Sequence, residues 1–323
     1  MMLGPLLLAA CSRPPEGLTL ELPIACEPGR TCWIQNYVDD DPSDAARDHR
    51  CSARTYDGHK GTDIRLRNVT AMRAGVDVLA AAPGTVRAVR NGEPERLLRD
   101  GEDAPEGREC GNGVVLDHGG GWETQYCHLA RGSVRVAPGD VVQPGQPLGQ
   151  VGLSGNTQFP HLHLAVRRID VVVDPFAWGV DMASCTGGRS LWSAAAAAAL
   201  PYHPTQVLEV GFSAAPVTLE SAEAGDVPAP TASGPAMIAW ARVMGLRKGD
   251  VQQIRLVDPT GQVVTSHVTE PLPRDKATYV LFAGKPNRGQ LARGRWMMTY
   301  SVVRDGEIVL TADDSTELTE QGP

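Results

Sequence analysis

The chain predicts an all-β protein: an antiparallel β-sheet/sandwich domain followed by a second, immunoglobulin-like β-sandwich. Three observations carry this. Glycine (35) and proline (25) punctuate 323 residues in which aromatics are only 5%, a composition suited to short strands and turns rather than helical bundles. From Gly75 onward, apolar runs of a few residues alternate with turn residues. Near the C-terminus Trp296, Met298, Tyr300 and Val302 alternate up to Asp305-Gly306, and Ile308 and Leu310 resume beyond it. An Asp-Gly pair between such runs is a hairpin signal.

At about 150 residues per domain, the length fits two domains. Residues 1–11 form a short apolar leader ending in Leu8-Ala9-Ala10-Cys11. That ending resembles a bacterial lipobox, with a lipid anchor on Cys11, although the first ten residues lack the Lys or Arg usual in signal segments. Ser12 after the cysteine resembles the outer-membrane sorting choice. Residues 12–54 form a leading segment with Cys26, Cys32, Cys51 and the acidic residues Asp39, Asp40, Asp41, Asp44 and Asp48. The acidic run lacks the Gly turn and terminal Glu of a calcium loop and reads as a solvated loop.

Residues 55–190 carry the first domain. Short strands are expected at 76–80, 84–89, 113–116, 124–127, 134–136 and 141–142, with a Gly-rich hairpin tip at 119–121. That tip sets Cys110 and Cys127 close to opposite on paired strands, which favours a disulfide between them. Excluding Cys11, six cysteines remain, an even number suited to an oxidising compartment. They allow 15 pairings; a local Cys26–Cys32 staple and a tie from Cys185 to the leading segment are further expectations. The Gly/Pro-rich text at 136–149 marks a sandwich fold shared by biotinyl, lipoyl and sugar-phosphotransferase domains, and by itself no chemistry. The charged stretch 91–108 reads as a mobile loop at a cleft rim. An Ala-rich helix at 191–201 links to the sandwich at 202–323.

Three stretches suggest chemistry: His59 to Asp63, His128 after Tyr126-Cys127, and His161-Leu162-His163. Gly61 and the apolar Ile64 and Leu66 favour a loop entering a strand, so His59 and Asp63 are not a helical pair. On a strand, residues two apart face the same side, so His161 and His163 share a face. Two imidazoles and one carboxylate on a metal leave a fourth position open, the arrangement of a catalytic site.

Together with Gly152-Leu153-Ser154-Gly155 and Pro160, these stretches resemble the signature of the lysostaphin/LytM-type zinc metallopeptidases, family twenty-three of the metallopeptidases, over about residues 55–178. The resemblance implies a duplicated-hybrid-motif fold and one zinc per chain on His59, Asp63 and His163. It implies catalytic roles for His128 and His161, with His161 favoured as general base. It implies endopeptidase action on peptidoglycan peptides in the periplasm or envelope. Some relatives close the zinc site with an upstream Asn, a role Asn36 or a nearby Asp would take here. Tyr56 is a structural residue or an oxyanion donor, and Ser154 a turn residue, since no serine elbow surrounds it. His49, His118, His203 and His267 read as core histidines.

Net charge is −8 and no Lys/Arg cluster is present, which argues against nucleic acid as a partner. A catalytically silent relative that activates cell-wall amidases is the alternative reading; such relatives usually lose a site residue, and none of the five is lost. A phosphate-carrying histidine domain shares the sandwich text, but it would be cytosolic and would not use Asp63.

Overall fold

The computed structural model describes residues 17–98, 102 and 105–319; Cys11 and the expected leader lie outside them. The first half contains β1 (Cys32–Asn36), β2 (Thr62–Leu66), α1 (Val69–Arg73), β3 (Asp77–Leu79), β4 (Gly84–Arg90), β5 (Asn112–Gly119), β6 (Trp122–Leu129), β7 (Val141–Val142) and β8 (Pro147–Gln150). It continues through β9 (His161–Arg168), β10 (Val171–Val173), β11 (Trp178–Asp181), β12 (Thr186–Arg189) and α2 (Ala194–Ala199). One antiparallel sheet runs β1-β2-β9-β6-β5-β4-β7, with β10 also on β9, and the small β3-β8 pair forms a separate sheet.

Alternation along β9 explains the layering. Leu162, Leu164 and Val166 are fully buried in the core with Ile64, Val114, Leu116 and Tyr126. Each such side chain contributes about 1.5–3 kcal/mol by leaving water. The intervening His161 and His163 necessarily emerge on the opposite face.

Registers hold the site together. β2 pairs with β9 so that Asp63 stands opposite His163 and Arg65 opposite His161. β6 pairs with β9 up to Cys127 opposite His163, leaving His128 just past the last pair. The leading segment supplies β1 at the sheet edge, where Asn36 stands opposite Asp63. The hairpin tip forms through Gly119, Gly120 and Gly121, all at positive φ. Cys26–Cys32, Cys51–Cys185 and Cys110–Cys127 are bonded, with Cα separations of 6.0, 5.7 and 4.8 Å.

Several elements depart from the sequence expectation. Residues 134–136 form no strand: the Val134 amide bonds the Asn91 side chain and Arg135 the Leu148 carbonyl, so the backbone is satisfied by loops rather than a ladder. The β11-β12 hairpin was hidden by its glycine-rich text. The alanine helix is not a free spacer. Ser193 caps it, Leu191, Trp192, Ala196 and Leu200 enter the first domain's core, and Leu20 hydrogen-bonds both Leu191 and Ser193.

The second half contains β13 (Gln206–Ser213), α3 (Leu219–Ala224), β14 (Ala236–Leu246), β15 (Val251–Val257), β16 (Val263–Val268), β17 (Lys276–Pro286), β18 (Gly294–Arg304) and β19 (Glu307–Leu318). Sheet β13-β14-β17 packs against sheet β16-β15-β18-β19 over Met237, Leu246, Ile254, Trp296, Met298 and Tyr300. This is an immunoglobulin-type sandwich. Asp305 and Gly306 both take positive φ, as a two-residue hairpin requires.

The two halves meet where β1 and β2 face β13, α3 and β14. Trp33, Leu208 and Met244 form an apolar contact. Arg65 donates to both oxygens of Glu223 at 2.6 and 2.7 Å, and Arg242 lies 3.1 Å from Glu223 and 3.1 Å from Glu209.

Candidate metal centre

The structure brings His59, Asp63, His128, His161 and His163 together. His59 Nε2 lies 3.1 Å from Asp63 Oδ1 and 3.2 Å from His163 Nδ1, and His163 Nδ1 lies 2.8 Å from the same Oδ1. Three donor atoms therefore converge on one point, while the other side-chain atoms of His59 and Asp63 are held from behind. His59 Nδ1 lies 2.6 Å from the Tyr37 carbonyl, and Asn36 Nδ2 donates to Asp63 Oδ2 at 2.8 Å. Outer partners of this kind fix the tautomer and aim of a metal ligand. Gly61 is required for the convergence: a Cβ there would stand 2.6 Å from His163 Nε2.

His161 and His128 flank the cluster. His161 Nε2 is 3.5 Å from Asp63 Oδ1, and its ring centroid is 4.6 Å from that of His128. Each turns Nδ1 to a backbone carbonyl, His161 to Phe159 at 2.8 Å and His128 to Ser154 at 2.8 Å. A Nδ1–H donated that way leaves Nε2 as the basic nitrogen. Thr157 Oγ1, 3.1 Å from His161 Nδ1, further fixes that ring. His128 sits at φ 65°, a left-handed conformation rare outside glycine and held here by its amide bond to the Cys110 carbonyl.

Electrostatics divides the histidines. Burial first, and then the neighbouring imidazoles, hold His128 well below the ordinary histidine value; burial likewise lowers His161. Burial opposes charge on His59 too, but the Asp63 carboxylate outweighs it and raises that group. Asp63 is held well below the carboxylate range, burial notwithstanding, by His59, His161 and His163. The donor set of one ionised carboxylate and two imidazoles, pre-aimed at one point, fits a divalent metal of the zinc class.

Other expected residues fall as follows. The Tyr56 ring lies tilted against His59, centroids 4.5 Å apart, with half its surface exposed. Ser154 is a buried turn residue that bonds Asn112 and Leu129. Asn36 lies against the cluster, donating to Asp63 Oδ2. Within 91–108, residues 92–98 are pinned, Glu95 to Leu153 and Leu98 to Thr157; positions 99–101, 103 and 104 lie outside the described residues. The acidic loop is less solvated than expected: Asp48 is fully buried and accepts from Tyr202. His203 and His267 are exposed rather than core. The sequence reading missed the outer partners Tyr37 and Thr157; neither has a local signal, because each acts through a fold-dependent contact.

Residues 57–175 match the family model described as Peptidase family M23. Among curated relatives, the chain is 36% identical over 86 residues to the cell division protein DipM of Caulobacter vibrioides, covering 26% of this chain and 14% of that protein. It is 38% identical over 90 residues to the DD-carboxypeptidase/endopeptidase Mpg of Neisseria meningitidis serogroup B, covering 27% and 20%. It is 33% identical over 105 residues to the peptidoglycan DD-endopeptidase ShyA of Vibrio cholerae, covering 32% and 19%. The chain thus spans a fifth or less of the length of each.

Proposed function

We propose that this chain, whose residues 57–175 match the model of Peptidase family M23, is a zinc metallo-endopeptidase that hydrolyses peptide bonds of bacterial peptidoglycan. The observation that carries the reading is the convergence of His59 Nε2, Asp63 Oδ1 and His163 Nδ1 beside two imidazoles whose Nε2 atoms are free. The first three are assigned as metal ligands, His161 as general base and His128 as its partner. When bound, zinc lowers the pKa of a water to about 7 and polarises the scissile carbonyl. The chain supplies the proton handling. His161 Nε2 takes a proton from the attacking water and returns it to the leaving amine, its ring held by Phe159 and Thr157. His128 Nε2, the unprotonated nitrogen of its ring, orients the water by accepting its other O–H. Burial keeps both rings neutral and able to accept.

The sandwich domain meets β2 on the site's own face, where Glu223 holds Arg65, the residue opposite His161. A lipid anchor on Cys11 would hold the enzyme at the envelope, on the outer membrane if Ser12 acts as the sorting residue. The test is digestion of purified peptidoglycan by the chain lacking residues 1–11, with zinc content measured alongside. About one catalytic zinc, new amino ends, and loss of both products and rate in His161→Ala with the metal retained are expected. Bound zinc with no cleavage would turn the reading to the silent amidase activator.

A further inference from the structure

A second cluster of metal-type donors lies outside the centre described above. Asp40 and His49 come from the leading loop after β1, and Asp174 directly follows β10. One donor atom of each lies within 4.8 Å of the others. His49 Nδ1 is 2.9 Å from Asp174 Oδ2. His49 and Asp174 are 6% and 4% exposed, and Asp40 Oδ2, His49 Nδ1 and Asp174 Oδ2 have no hydrogen-bond partner outside the trio. Asp174 Oδ1 is already taken by the Phe176 amide at 2.7 Å, so Oδ2 is the oxygen left to point inward.

The surroundings are rigid and offer no compensating cation. The His49 ring is boxed by Tyr37, Phe176 and Tyr202 with centroids 5.1 to 5.6 Å away. Among the described residues no Lys or Arg pairs with Asp40 or Asp174: Arg47 is bound to Asp41, and the Arg54 guanidinium to the carbonyls of Ile34, Gln35 and His203. Two carboxylates against one imidazole leave net negative charge even with the ring protonated, a costly arrangement when buried. A bound proton or a bound cation relieves it.

We propose that Asp40, His49 and Asp174 hold a second divalent cation of the zinc class, which fastens the leading loop to the end of the peptidase domain. One imidazole with two carboxylates suits zinc or its first-row neighbours better than calcium, which prefers oxygen alone. The half-buried side of Asp40 leaves room for water to complete the coordination. The loop it would fasten backs the catalytic metal site: Tyr37 contacts His59 Nδ1, the Asp39 amide donates to the His59 carbonyl at 2.9 Å, and Gly58 donates to Asp39. The second ion would therefore be structural and does not depend on peptidase activity.

The competing state is a carboxyl pair sharing a proton, which burial and the Asp174 charge favour by pushing Asp40 up to about 8. Asp40→Asn separates the two, because it keeps a hydrogen-bond donor beside Asp174 but removes an anionic ligand. Full chains stripped of metal are titrated with ZnCl2, desalted and assayed by mass spectrometry of the metal. The expected result is two equivalents for the unaltered chain, one for His59→Ala, one for Asp40→Asn and none for the double variant. ZnCl2 should also raise the melting temperature of His59→Ala but not of the double variant. Unchanged zinc content in Asp40→Asn, or none in His59→Ala, overturns the second site. One equivalent in the unaltered chain, kept by His59→Ala and lost by Asp40→Asn, would uphold the second site and sink the catalytic assignment instead.

Discussion

Asp63 and Arg65 lie two residues apart on β2, yet each opens a buried charged cluster of a different kind. Asp63 ends among imidazoles whose nitrogens converge on one point, with lone pairs left over. Arg65 ends against Glu223, which also faces Arg242, which in turn faces Glu209. In the second cluster two positive groups meet two negative ones, so the charges balance. Burial with spare donor capacity is the mark of a binding or catalytic centre, whereas burial with charges balanced is a structural joint. The two are linked: the Arg65 guanidinium lies 4.8 Å over the Phe159 ring, and the Phe159 carbonyl orients His161.

Substitutions should separate the clusters. The largest effect is expected at His161→Ala: kcat on peptidoglycan falls by about 10²–10⁴, the usual worth of a positioned general base, with zinc content unchanged. A metal-free variant would show instead that His161 is a ligand. Next, Glu223→Ala strands Arg65 and Arg242 without their shared carboxylate and should cost about 3–5 kcal/mol in urea unfolding, with bound zinc retained. A cost below about 1 kcal/mol, the range of exposed pairs, would mean that water replaces the carboxylate and the joint is not dry.

Smaller effects sharpen the same contrast. Asn36→Ala removes the outer bond to Asp63 and should weaken zinc binding about 10–100-fold in chelator competition. Equal affinity would make Asn36 a packing residue. The smallest effect concerns His118, a partly buried imidazole in neither cluster, bound to Pro83 and Thr124. Burial holds its folded-state pKa below the ordinary value. The unfolded chain then binds the extra proton first, so this contribution to stability is present above about pH 6.5 and lost as pH falls through the folded value. His118→Gln should flatten the stability profile between about pH 7 and 5 in denaturant titrations, and an unchanged slope would assign the acid sensitivity elsewhere.

The five residues that the structure brings together stand in short local patterns in the sequence. His161 and His163 share a face through the two-residue period of a strand, and Gly61 marks the stretch from His59 to Asp63 as a loop entering a strand. The Cys110–Cys127 bond was legible because one hairpin connects the two. Val134 to Val136 misled, since apolar text does not say whether a partner strand is available. The Ala-rich helix was found, but its burial against the first domain was not.

By itself, then, the sequence determined what one strand period or one turn can determine: the all-β class, the metal-type donor set and the terminal hairpin. Only the tertiary structure decided that β1 edges the sheet carrying the donor cluster, that Asn36 and Tyr37 hold Asp63 and His59, and that Glu223 meets Arg65. It also decided that Asp40 and His49 reach Asp174, more than a hundred residues away. Each of these depends on register between distant strands or on loop closure, set by the global burial of apolar faces, and no short window of residues encodes it.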